Sequence, residues 1–173
     1  MDDREVDRIA GVSGSDDEKE SSDDDCAHVR VAMIPSRTMS YRERVDEYLR
    51  RFGEAVAVAI PPLDGDGYTQ IKRGSATVGI NVLEDRGVLM FLSPMMPVPA
   101  DRREQLYRYL LEKNFLATSD GAFAIDKDTD TVYLRSLRGL EGLDYEEFTD
   151  LIDTLGRVAD QYDDELASLF GKG

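Results

Sequence analysis

The sequence predicts an α+β domain: an antiparallel β-sheet with three helices, in the order α-β-β-β-α-β-β-α. Three observations carry that prediction. Capping-box patterns, which start helices, occur at Ser40 with Glu43, Asp101 with Glu104 and Asp144 with Glu147. Short runs rich in β-branched and aromatic residues lie between them, parted by turn residues. Helices and hairpins are segregated along the chain, the pattern of an antiparallel sheet with helices packed on it.

The first helix follows from Tyr41, Val45, Tyr48, Leu49 and Phe52, which share one helical face, with Gly53 as its expected stop. Residues 55–60 alternate alanine with β-branched residues and read as a strand ended by Pro61-Pro62, which makes a fourth strand before the second helix optional in that order. After the turn at 64–67, strands are expected at 68–73, 76–83 and 88–92. The second helix starts at Asp101, carries Leu106, Tyr107, Leu110 and Leu111 as its apolar stripe, and ends at Asn114. Strands at 122–126 and 131–136 follow, joined by a loop at 127–130. The last helix buries Phe148, Leu151, Ile152, Leu155, Ala159, Tyr162, Leu166 and Leu169.

Residues 1–38 form an acidic tail, and the domain is expected over 39–173. The run 13–25 holds no apolar residue, so it cannot bury enough surface to offset the entropy of ordering it. The remaining residues suffice for one core without disulfide or metal. Net charge is −15, of which the tail contributes −6. Nucleic acids and anionic membranes are disfavoured as partners, because both require clustered lysine and arginine. The single cysteine, Cys26, excludes an internal disulfide. No apolar run reaches the roughly 18 residues of a membrane span, and the N-terminus has no secretory signal, so a cytoplasmic protein is expected.

Catalytic and metal motifs are weak. The one histidine, His28, lies in the tail, which leaves no Ser-His-Asp or Cys-His arrangement. Cys26 with His28 offers two ligands where zinc needs three or four. Asp126, Asp128 and Asp130 are spaced like the start of a calcium loop, but Thr131 and Leu137 replace the required glycine and glutamate. No cofactor is expected. Partner-surface candidates are Met90, Met95 and Met96, which sit among Phe91, Leu92 and three prolines, together with Tyr109 and Arg135. Methionine adapts to varied partners. The same cluster also suits the core under the second helix, and Arg135 equally suits a structural ion pair.

Four stretches resemble the YbjN family, whose fold is that of class I type III secretion chaperones. They are the strand at 88–92 with its proline-bearing exit, Leu110-Leu111-Glu112-Lys113-Asn114, Phe123-Ala124-Ile125-Asp126 leading to Val132-Tyr133-Leu134-Arg135, and Leu143-Asp144-Tyr145-Glu146-Glu147-Phe148 opening the last helix. The resemblance runs from Ser40 to Phe170. It implies a type III secretion chaperone-like α+β fold that forms dimers, through the strand at 88–92 and the second helix, and that offers apolar surface to extended peptide segments. The expected function is therefore a non-catalytic protein-binding module, chaperone-like or regulatory, with another protein and a second copy as partners. The alternative is a small-ligand sensor domain on the same fold, and an enzyme of another type ranks third.

Overall fold

A computed structural model describes residues 39–116 and 118–171; the expected acidic tail lies outside the described residues. The elements run α1 (Tyr41–Ala55), β1 (Tyr68–Arg73), β2 (Ala76–Leu83), a short 3-10 turn at Glu84–Arg86, β3 (Val88–Pro97), α2 (Arg103–Leu116), β4 (Ala122–Asp126), β5 (Thr131–Gly139) and α3 (Tyr145–Phe170). The five strands form one antiparallel sheet in the order β1-β2-β3-β5-β4. The expected α+β class and element order are observed.

Period-two alternation decides which face is covered. Val78, Ile80 and Val82 of β2, Leu89 and Phe91 of β3, and Val132 and Leu134 of β5 are buried. They meet Val45, Leu49 and Phe52 of α1, Leu106 and Leu110 of α2, and the apolar face of α3 from Phe148 to Leu166 in a single core. Phe91 and Phe148 pack with ring centroids 6.1 Å apart. At the far end Phe170 is buried while Leu169, expected on the inner face, is exposed. Outside the core the β1–β2 turn is tied to α3, because Ser75 donates from both its backbone N–H and its hydroxyl to Asp160, at 2.7 and 2.8 Å.

The three capping-box patterns have different outcomes. Ser40 and Glu43 close the full reciprocal box. Asp144 accepts from the Glu147 N–H at 2.8 Å, but the Glu147 carboxylate turns to Arg138 at 2.6 Å instead of reaching back. Asp101 does not start α2: the helix begins at Arg103, and Arg102, with φ of 58°, supplies the first accepting carbonyl. Asn114 is not a cap either. Its side-chain amide accepts from the Phe123 N–H (2.7 Å) and donates to the Phe123 carbonyl (3.2 Å), pinning β4 to the helix.

Residues 55–60 are not a strand. α1 runs past Gly53 to Ala55, and the chain then folds back along the helix, with the Val58 N–H donating to the Gly53 carbonyl at 2.9 Å. A Cβ on Gly53 would lie 2.7 Å from the Val58 carbonyl oxygen, so the glycine serves this close approach and not a helix stop. β3 is longer than expected because its prolines cost little where they fall. Pairing with β2 ends at Leu92 opposite Gly79, so beyond Leu92 that side of β3 is an edge, and the register with β5 shifts between Pro94 and Met96.

Gly53→Ala is predicted to destabilise the domain by about 1–3 kcal/mol, since a backbone carbonyl must move to admit the methyl group. Equilibrium urea denaturation measures it; an unchanged midpoint would show that the return segment yields freely.

Candidate protein-binding surfaces

All three helices pack on one face of the sheet, so the opposite face holds no helix among the described residues. Its registered rows can be read across the strands. Tyr68, Asn81, Met90 and Leu137 form one row, and Gln70, Gly79, Leu92, Arg135 and Ala122 the next. Leu83, Val88, Met90 and Leu92 are half-buried on this face, while Tyr68, Leu137 and Arg135 are exposed. The Tyr68 ring lies over Gly79, where an added Cβ would come within 3.0 Å of it. No ion pair engages Arg135 among the described residues, so the structural ion pair considered for it is not formed there.

The sequence-derived candidates therefore separate. Met90 and Arg135 share the open sheet face. Met95 and Met96 sit at the register shift of β3 and pack against the edge of the core; Met96 lines a cavity with Val98, Arg103, Ala167 and Phe170. Tyr109 is on neither surface. It stacks edge-on against Phe170 of α3 at 5.5 Å and belongs to the α2–α3 contact.

That contact is a compact electrostatic lock. The Lys113 ammonium lies 5.0 Å from both the Tyr109 and Tyr162 ring centroids and 3.3 Å from Glu165. Burial, and then the Glu165 carboxylate beside it, pushes the Tyr109 phenol well above its ordinary range. The Tyr109 hydroxyl, which lies near Glu165 but makes no hydrogen bond among the described residues, and then Lys113 hold Glu165 below the usual carboxylate range.

The outward face of α2 falls to Leu111 and Phe115, four residues apart and so aligned on the helix, with Tyr107 one turn earlier half-buried and packed in part against the core. Leu111 is 69% exposed and Phe115 81%. With Arg103, Glu104, Arg108 and Glu112 they line a shallow apolar cavity of 780 Å³. Leu111 had been expected on the inner stripe. Phe115 carried a signal the sequence analysis missed: it continues the Leu111 position by one turn.

Helices packed on one sheet face leave an apolar sheet face and an apolar helix stripe uncovered among the described residues, and the fold is that of solved type III secretion chaperones. Among solved structures, the chain is similar to one in the ExsC–ExsE complex (20% identity, TM-score 0.61, covering 73% of this chain and 96% of that one). It is also similar to one in the HopA1–SchA chaperone–effector complex (12%, 0.54, 69% and 95%). YbjN from E. coli matches at 11% and 0.48, covering 69% of this chain and 91% of that one. The particular family is then given by the sequence: residues 47–162 match the Tir chaperone protein (CesT) family, and the chain belongs to it. No curated protein matches the sequence. Among the described residues no helix is long and apolar enough to cross a membrane.

The α2–α3 lock predicts a two-sided pH dependence. A depressed folded pKa at Glu165 contributes stability above the unfolded value of about 4.3, lost as pH falls below it. A raised folded pKa at Tyr109 contributes stability below the unfolded value of about 10, lost as pH rises above it. Thermal melts across pH should show a smaller acid-side loss in Glu165→Gln and a smaller alkaline-side loss in Tyr109→Phe. Curves parallel to wild type in both variants would contradict the lock.

Proposed function

We propose that this chain is a homodimeric chaperone that holds an extended segment of a client protein, and that residues 1–38 are an acidic tail appended to the binding domain at 39–173. Its work is binding, with no bond made or broken in the client. The observation that carries the reading is the outward face of α2. Leucine and phenylalanine exposed to that degree on one helical stripe are costly in water and call for a protein surface. Charge favours a second copy as the cover. The stripe is flanked by Arg103, Glu104, Arg108 and Glu112, two of each sign, so a second copy brings no excess of like charge against it. The dimer leaves the open sheet face and the sheet edges for a client, by the strand-addition and side-pocket physics common to extended peptides. The ExsC–ExsE and HopA1–SchA structures, each a two-protein complex, support the client as a protein. The small-ligand alternative calls for an enclosed polar pocket, whereas the cavity on α2 is open and apolar.

Static light scattering at micromolar concentration tests the dimer. Wild type is expected at twice the chain mass, and Leu111→Asp at the chain mass with an unchanged melting temperature. Tyr109→Asp is expected to lower the melting temperature, because that ring packs on Phe170. A monomeric wild type would overturn the dimer and leave the α2 stripe as client surface.

A further inference from the structure

A trough runs along the outer side of α1. Its floor is Leu49, Ile60 and Pro62, with Met39 at one end and Val58 at the other. Two adjoining cavities of 540 Å³ and 300 Å³ share Leu49, Arg50 and Ile60, so they form one continuous depression. Met39 and Val58 are 59% and 54% exposed.

The trough is preformed. Its second wall, the return segment after α1, is fixed at three points. Val58 N–H donates to the Gly53 carbonyl (2.9 Å), Leu63 N–H to the Asp46 carboxylate (2.8 Å), and the Thr69 hydroxyl to the Pro61 carbonyl (2.8 Å). A fixed wall reduces the ordering cost of binding. α1 has 15 residues and is thus about 22 Å long. An extended segment of about seven residues, at roughly 3.3 Å each, spans it.

The rim is one-sided in charge. Asp46, Glu47 and Glu54 line it, together with Glu43, which is engaged in the Ser40 cap, and Arg50 is the one cation there among the described residues. Arg50 is already held by Glu47 at 2.6 Å and Glu54 at 2.5 Å. The other arginines of α1 are engaged elsewhere: Arg42 donates to the Gly65 carbonyl, Arg44 to the Leu140 carbonyl, and Arg51 lies 3.8 Å from the centre of the Tyr145 ring.

We propose that this trough holds a client segment in extended form whose apolar side chains alternate with lysine or arginine. The inference rests on the chaperone reading and adds the chemistry of one stretch of client. Alternation sends apolar residues to the floor and cations to the rim. An acidic segment is repelled, and an uncharged one gains only the floor.

Fluorescence anisotropy with the full chain tests it, using a short fluorescein-labelled peptide of alternating valine and arginine. Counterparts carry glutamate or serine in place of arginine. The arginine peptide is expected to bind at least about tenfold more tightly than the glutamate peptide, and to weaken as salt is raised. Glu47→Lys with Glu54→Lys, both at exposed positions, is expected to weaken it about tenfold, and Val58→Asp to weaken it as well. Equal binding of the three peptides, or arginine-peptide binding untouched by these variants, would overturn the proposal. Failure of every peptide to bind would also overturn it, while a dimeric wild type in light scattering would leave the chaperone reading standing.

Discussion

Phe148 meets Phe91 near the middle of the sheet, and around that contact the 26-residue helix α3 lies across the strands. Its inner face, from Phe148 through Leu151, Leu155 and Ala159 to Leu166, is fully buried. This docking sets the terms for the rest of the domain. A twisted sheet of five strands has two faces, and α3 with α1 and α2 covers one. The second face keeps half-buried leucine, valine and methionine that no described element shields. α2 is pushed to the β4 end, where Asn114 and the Tyr109–Lys113–Glu165 lock tie its inner side down. Its outer side is then left with Leu111 and Phe115 in water.

The same geometry separates stability from function. Tyr109, Met95 and Met96 answer to the core or its margin. Leu111, Phe115, Met90 and Arg135 have no comparable intramolecular task among the described residues. The domain leaves apolar surface on a sheet face and on a helix stripe, which another protein can cover. A compact ligand would need one closed site. Membership of the Tir chaperone protein family agrees with that division.

Much of the fold was legible in the sequence because its signals were local. The strand alternation in β1, β2 and β5, the Ser40 box and the α3 stripe depend on neighbours a few residues away. The misreadings share a different cause, which is tertiary contact. The β-branched run at 55–60 follows strand spacing, but Gly53 lets it fold back on α1. Asn114 has the composition of a helix cap, yet its amide is used by Phe123, nine residues on. Tyr107 and Tyr109 diverge around α2 by helical geometry, but both end half-buried against the core, and Tyr109 does so because Phe170 arrives beside it from α3. Phe115 was the exception, since its four-residue spacing from Leu111 was visible in the chain.

Hydrogen exchange on the full chain, alone and with a protein partner recovered by affinity capture, tests the central claim most directly, provided the intact mass of that partner is followed in the same mixture. The account predicts slowed exchange in the edge strands β1 and β4 and in residues 57–63, with the partner's mass unchanged. Exchange that is unaffected at those segments, or a covalent change in the partner that requires this chain, would contradict a protein that works by holding another.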